Sequence, residues 1–372
     1  MKERVYVIGT NAYTAAAFID YCLEQGLDIA GCSRSAELAS PFLPYKWGKS
    51  PPPSGSFHFA QWDLNHHTDE IVRSIRDFSP EMVVNFAAQS MVAESWLHPE
   101  HWYETNVVAN VRLHDALRKC AFLRNYVHVS TPEVYGTCSG LVPEETPMNP
   151  STPYAASRAA CELHLATFRK RYAFPYSLTR AANVYGPGQQ LYRIIPRTIF
   201  FSKIGRRLPL HGGGHSIRSF IHGRDVARAT LALARQPGVG QCYHLSTQTH
   251  ISIRDLVGRI CSRLGVALQD VVEITEDRPG KDAAYLLDSA KARTELGWQP
   301  EISLDQGIEE TIRWIETCLD ELKQQPADYQ HKPRSPIPYN PAGSLLPEAA
   351  ATSAALSCPI FFASVIMSAR SI

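Results

Sequence analysis

The first half of the chain alternates between two hydrophobic periods. VYVIG (5–9) is a continuous apolar run, the pattern of a strand buried on both faces of a parallel sheet. AYTAAAFIDYCLEQG (12–26) changes to helical spacing and stops at Gly26, a C-cap signal. Strand-like runs return at 28–33, 57–64, 82–88 and 126–130. Between them, 66–80 reads as a helix stopped by Pro80, and 100–119 reads as another helix. A helix over 151–170 and a sixth strand over 176–186 follow. Strand, helix, strand in this rhythm predicts a Rossmann-type, doubly wound parallel α/β sheet. Such sheets take ligands at the carboxyl ends of their strands.

Beyond about 190 the pattern loses this regularity. The segments RIIPRTIFFSKIG, LPLHGGG, QCYHLST and ISIRDLVGRICSRLG predict a smaller mixed α/β lobe closing over the sheet's edge. The expected division is a dinucleotide domain, mainly 1–186, interleaved with a substrate lobe, mainly 187–324. From 325 to 372 the chain is rich in Pro, Ala and Ser and is expected to be a disordered tail.

Composition narrows the function classes. Of 372 residues 44% are hydrophobic, enough for a large core or two coupled domains. Net charge is +1 with no clustered Lys and Arg, which argues against nucleic acid as a partner. Nine scattered cysteines form no CxxC and no Cys/His cluster at zinc spacing, so no metal is expected and the odd count fits a reducing compartment. The N-terminus has no signal-peptide apolar stretch, and no run approaches the roughly 18 apolar residues of a membrane span, so a cytoplasmic protein is expected.

Several motifs carry chemistry. In VIGTNAYTAAAF a turn after strand one can rest a pyrophosphate on a helix N-terminus. Only Gly9 is glycine; Ala12 and Ala15 hold the other two positions of a GxxGxxG spacing. At the end of strand two, Ser33 and Arg34 stand where an NAD site places an acid for the ribose hydroxyls, and an arginine suits a 2′-phosphate. The same arginine reads equally well as a solvated loop residue, so NAD and NADP both remain open. Asp63 in WDL can accept from an adenine amine. Tyr154 and Arg158 in PYAASR share a helix face, and a fixed cation favours phenolate, so Tyr154 is a candidate base with a lowered pKa. Asn183, Arg218 and Arg278 are polar groups in apolar or turn contexts, and arginine's fork suits a diphosphate. Taken singly, these arginines would read as surface salt bridges.

Together the motifs resemble the extended short-chain dehydrogenase/reductase family, in particular the nucleotide-sugar 4,6-dehydratases. The likeness runs over roughly 4–320 and rests on NFAAQSMVAESW, TN at 105–106, VSTPEVYG, PYAASR, NVYGPGQ, GGGHSIRSFIHGRDVA and DRPGKDAAYLLD. It implies a bound NAD(P)+ held by Gly9, Asn11, Ala12, Ser33, Arg34, Asp63, Leu64, Ala87, Ala88, Asn106, Tyr154 and Arg158. It implies a nucleotide-diphosphate sugar substrate at Gln89, Thr131, Asn183, Arg218 and Arg278, and a homodimer. Tyr154, helped by Thr131, would take the C4 hydroxyl proton while hydride leaves; Glu133 would take the C5 proton; water would leave C6 and hydride would return there.

The departures from the family pattern are specific. Arg158 replaces the family's lysine, and Met91 stands where histidine is common. Pro132 occupies the position of the aspartic acid that protonates the leaving hydroxyl in the dTDP-sugar enzymes. A nucleotide-sugar epimerase or a UDP-glucuronate decarboxylase is the alternative, since the latter carries a similar loop and needs no such acid. A cofactor-binding regulator without turnover is a third reading, motivated by the reduced glycine loop.

Overall fold

A computed structural model describes residues 2–49, 52–276 and 286–331. The chain opens with β1 (Arg4–Ile8), α1 (Tyr13–Glu24), β2 (Asp28–Ser33), β3 (Ser56–Gln61), α2 (Thr68–Phe78) and β4 (Met82–Asn85). It continues through α3 (Pro99–Tyr103), a π-helical turn (Glu104–Val108), α4 (Ala109–Leu117), β5 (Asn125–Val129), a 3-10 turn (Pro132–Tyr135), β6 (Leu141–Val142) and α5 (Pro153–Tyr172). Next come β7 (Tyr176–Ala181), β8 (Asn183–Tyr185), α6 (Ile194–Lys203), β9 (Leu208–His211), β10 (Ile217–His222), α7 (Gly223–Arg235) and β11 (Gln241–Leu245). The described part closes with β12 (His250–Ser252), α8 (Ile253–Leu264), α9 (Leu268–Val271), β13 (Val272–Thr275), β14 (Leu286–Leu287), α10 (Ala290–Leu296), α11 (Leu304–Thr317) and α12 (Leu319–Leu322).

Seven strands build the main sheet in the order β11-β7-β5-β4-β1-β2-β3, all parallel. The period of two decides what covers each face. Val5 and Val7 of β1 point into a core shared with Phe18 and Ile19 of α1 and Ala229 and Leu233 of α7. Tyr6 and Ile8 point the other way, into a core with Ile71 and Ile75 of α2, Leu113 of α4 and Leu165 of α5. Both faces are therefore buried, which is why these strands read as unbroken apolar runs. The strand order reverses between β1 and β4, so a crevice opens at their carboxyl ends.

The second core lies between α6, β9, α8, α11 and the loop around Phe42. A small sheet, β12-β10-β8, sits beside it. Three expectations change here. The run 176–186 is two strands, not one: β7 stays in the main sheet, and after Ala182 the chain enters β8, which pairs with β10. QCYHL, assigned to the lobe on its sequence, is β11, the edge strand of the main sheet beside β7. The 100–119 helix is interrupted by the π turn.

The segment expected to be a tail from 325 also departs from that expectation in its first seven residues. Tyr329 packs edge-on against Tyr192, Arg197 bonds Asp328 at 2.7 Å, and His331 stacks on Trp102. Residues 332–372 lie outside the described residues. No helix among the described residues is long and apolar enough to cross a membrane.

Candidate active site

The β1 turn and the end of β4 face each other across the reversal in strand order. Gly9 has φ +86°, and a Cβ there would lie 2.6 Å from the Ala87 backbone nitrogen. Both facts require glycine. The Gly9 N–H donates to the Cys32 carbonyl at 2.8 Å, and the Asn11 amide donates to the carbonyls of Ser35 and Ala36 at 3.1 and 2.8 Å. Asn11 thus ties the turn to the loop that carries Ser33 and Arg34. Ala12 is the N-cap of α1; it offers no capping side chain, and the first turn holds no acidic residue. The leading N–H groups of α1 are left for an anion. The side-chain oxygens of Thr10 and Asn11 are buried without a partner in the same turn. Asp63 and Leu64 are buried just past β3, where an Asp63 carboxylate oxygen accepts from the Asn65 N–H at 2.9 Å. The uncapped helix start and the Thr10 hydroxyl are donors that a dinucleotide pyrophosphate would satisfy, and the glycine lets it approach; the Asn11 oxygen is an acceptor and suits a donor such as a ribose hydroxyl.

Asn106 sits in the π turn, a distortion that recurs at functional sites. Its side-chain oxygen accepts from the Gln89 N–H at 2.9 Å; its nitrogen donates to the Gln89 carbonyl at 3.0 Å and to Ser157 Oγ at 2.9 Å. Both amide hydrogens are used inside the protein. The geometry makes Asn106 a brace between α5 and the loop through Ala87, Ala88 and Gln89. Ala87 is held in turn by the Asn85 side chain, 2.9 Å from its N–H.

Thr131, Glu133 and Tyr154 converge at the end of β5. Thr131 is extended, with φ −145° and ψ 145°, as a residue before proline should be. Pro132 opens the 3-10 turn, where its missing N–H costs nothing, and the Thr131 hydroxyl accepts from the Glu133 N–H at 3.3 Å. The Thr131 hydroxyl lies close enough to the Tyr154 phenol to lower its pKa, and the charge of Glu133 reaches the same phenol. The chain leaves the turn through Gly136, at φ +65°, whose missing Cβ admits the Asn149 carbonyl.

Tyr154 corrects a sequence expectation. Its phenol is pushed up from the ordinary value, not down. Burial is the largest cause, and the Glu133 charge adds to it. Arg158 and the nearby Thr131 hydroxyl oppose these but do not overcome them. Arg158 is itself buried; it donates to the Val129 carbonyl, while its Nε and Nη1 have no partner. Two orphaned guanidinium nitrogens next to the Tyr154 phenol are donors waiting for acceptors, such as ribose hydroxyls.

Residues 7–311 match the family described as GDP-mannose 4,6 dehydratase. This chain belongs to that family. It is 35% identical over 262 residues to the dTDP-glucose 4,6-dehydratase of Streptomyces antibioticus, covering 69% of this chain and 78% of that one. The dTDP-glucose 4,6-dehydratase of Haemophilus influenzae is 32% identical over 260 residues, covering 64% of this chain and 76% of that one. Among solved structures, DesIV, the dTDP-glucose 4,6-dehydratase of Streptomyces venezuelae crystallised with NAD, superposes with a TM-score of 0.75 at 28% identity, over 84% of this chain and 97% of its own.

The side chains offered for the substrate diphosphate lie on the small sheet. Asn183 pairs with Phe220 across β8 and β10, and its amide bonds the Ser219 carbonyl at 3.1 Å. Arg218 is two residues before Phe220 and so on the same face of β10. Arg278 lies outside the described residues.

Sequence reasoning missed a buried network beneath the catalytic loop of this dehydratase-family chain. Glu162 and Arg180 form a buried ion pair, with Arg180 Nε 3.2 Å from the carboxylate. Ser130 donates to Glu162, Arg180 reaches the Tyr135 hydroxyl, and that hydroxyl contacts His244 Nε2 at 2.7 Å. Ser130 and Tyr135 bracket Thr131–Glu133, so the network fixes the loop at both ends. A signal was present: Tyr154, Arg158 and Glu162 recur every four residues, a polar stripe on a helix otherwise buried along that side.

Proposed function

We propose that this chain is a nucleotide-sugar 4,6-dehydratase in which Tyr154, Thr131 and Glu133 act on a hexose joined to a nucleoside diphosphate. One observation carries the reading: Thr131, just past β5, caps the turn that presents Glu133, and both Thr131 and Glu133 act on the buried phenol of Tyr154 on α5. A bound NAD(P)+ supplies a reversible hydride sink, so the reaction closes with no net oxidation. Gly9, the uncapped start of α1 and Arg158 are the groups to hold it. Tyr154 takes the proton of the C4 hydroxyl, with Thr131 positioned to pass it. Once C4 is a ketone, the C5 proton is acidic and Glu133 removes it. The C6 hydroxyl leaves as water, its proton coming from solvent because Pro132 has none to give; the hydride would then return to C6 and Glu133 would give the proton back to C5.

Arg34 favours NADP in this reading, because an arginine follows β2 where an NAD site carries an acid, and the acid of that loop, Glu37, is paired with Tyr45 and Lys46. Arg34→Asp should shift the preference towards NAD in a direct comparison of the two dissociation constants. We also infer a homodimer through the π turn that leads into α4 and through α5, where Val108 and Leu163 stand exposed.

The test is incubation with dTDP-glucose, GDP-mannose and UDP-N-acetylglucosamine, followed by mass spectrometry for a 4-keto-6-deoxy product. Glu133→Gln should abolish the product and leave cofactor binding intact. Pro132 favours a second reading, decarboxylation of UDP-glucuronate, which needs no acid for a leaving hydroxyl; carbon dioxide release from that sugar alone would decide for it.

A further inference from the structure

We propose that His98, Glu100 and His101 bind a divalent transition-metal ion of the zinc class, and that the ion latches the segment 325–331 to α3 through His331. The site lies on the surface, where α3 begins. His98 is the N-cap of α3 and extended in φ, which turns its ring back over the first helical turn. Glu100 and His101 follow within that turn, and residues three apart share a face.

The distances suit an ion better than direct contact. Glu100 Oε1 lies 3.8 Å from His98 Nδ1 and 3.7 Å from His101 Nε2. Both are longer than a hydrogen bond. Ligands held at about 2.0–2.2 Å round a tetrahedral ion sit roughly 3.3–3.5 Å from one another, so the carboxylate needs only a small inward shift, while the His98 and His101 rings, stacked at 22° with centroids 5.1 Å apart, must rotate to aim both nitrogens at the ion. All three ligand atoms fall within 4.8 Å of each other. Two imidazoles with one carboxylate are a borderline donor set that suits Zn²⁺, and the fourth position is left to water. The His98 and Glu100 side chains are 53% and 66% exposed, so the ion has open access.

His331 supplies the outer partner that such a site needs. Its Nε2 lies 3.1 Å from His101 Nδ1, the ring nitrogen not facing Glu100. A ligating histidine whose second nitrogen is held has its tautomer and ring orientation fixed. His331 is itself clamped, its ring 5.3 Å from Trp102 at an interplanar angle of 10°, and Trp102 is fully buried. The rest of the segment is held by contacts of Asp328 with Arg197 and of Tyr329 with Tyr192. Metal on α3 therefore orders His101, and His101 orders His331 and the segment that carries it.

A second histidine cluster is a poorer candidate. His114, His128 and Cys161 also converge, but they are buried and the Tyr126 hydroxyl already occupies His114 Nε2 at 2.9 Å. The Arg158 charge also acts on His128 and Cys161, which disfavours a second cation.

The test uses the full chain, freed of metal with a chelator. Zn²⁺ affinity is measured by calorimetry, Co²⁺ geometry by visible absorption, and segment mobility by hydrogen exchange of 325–331 with and without Zn²⁺. The expected results are one tight site with the intense visible band of four-coordinate cobalt, and slower exchange of 325–331 on zinc binding. His98→Ala and Glu100→Gln should each weaken Zn²⁺ at least 100-fold, with thermal unfolding of the metal-free protein unchanged because both side chains are exposed. His331→Ala should weaken it by roughly 10- to 100-fold and abolish the exchange effect. Undiminished affinity in His98→Ala, or no four-coordinate cobalt spectrum, overturns the site. Tight binding that leaves the exchange of 325–331 unchanged overturns the latch.

Discussion

At the residue scale the catalytic loop turns on Thr131, Pro132 and Glu133. Proline both fixes the start of the 3-10 turn and holds Thr131 extended, so the hydroxyl lies near Tyr154 while the carboxyl is presented two residues later. This geometry comes at the expense of a proton donor. If water loss needs one, Pro132→Asp should raise the elimination rate, by as much as about 10²-fold, the lower end of what a positioned acid contributes. Single-turnover product formation measures it, and an unchanged or lower rate would show that solvent already does the work. Tyr154 makes the second prediction. Burial holds its phenol up, and Arg158 is the chief group pulling it down. Arg158→Met should therefore push the phenol higher and move the rising limb of the kcat–pH profile to higher pH, because the base must be deprotonated to act. Arg158→Lys, which keeps the charge, should move it far less. The pairing of Tyr154 with Arg158 was legible in the sequence from their four-residue spacing; the balance of burial against charge was not, because spacing says nothing of how dry the phenol is.

At the scale of elements, the βαβ rhythm was legible because both faces of the sheet are covered and each strand is an unbroken apolar run. Membership of a sheet was not. QCYHL reads as a strand, but nothing local says that it pairs with β7 at the sheet's edge and not with the lobe. The split of 176–186 hangs likewise on a distant partner, β10, which draws β8 away. The π turn was illegible because its cause is tertiary: Asn106 is bonded to Gln89 and Ser157 on other elements. The β1 turn shows how much one glycine carries. Gly9→Ala places a Cβ against the Ala87 backbone at a φ of +86°. It should destabilise the fold by more than about 1 kcal/mol and weaken cofactor binding further, read by thermal unfolding with and without NAD(P)+.

At the scale of the whole molecule, buried charge and buried neutral histidine set the conditions for stability. Glu162 and Arg180 share a dry site beneath the catalytic loop. Glu162→Ala leaves a guanidinium uncompensated and should cost about 3–5 kcal/mol in a denaturant titration. Replacing both partners by apolar residues should recover much of that loss. His222 and His244 are held neutral mainly by burial, which lowers them from 6.5 to about 4 and about 3. Unfolded, each binds a proton near pH 6.5; folded, it resists until far lower. Stability should therefore be complete above about pH 6.5 and fall as the pH drops toward 4, by about 1.4 kcal/mol per unit for each histidine. Urea midpoints at pH 7 and pH 5 check the sign. The proposed reaction is an internal hydride shift coupled to loss of water. The direct measurement gives the enzyme a nucleotide hexose deuterated at C4 and locates the label in the product by mass spectrometry and NMR. The expected product is a 4-keto-6-deoxy sugar nucleotide, one water lighter, with the deuterium on C6. Deuterium returned to C4 of an epimer, or retained cofactor without any product from the sugar nucleotides tested, would contradict it.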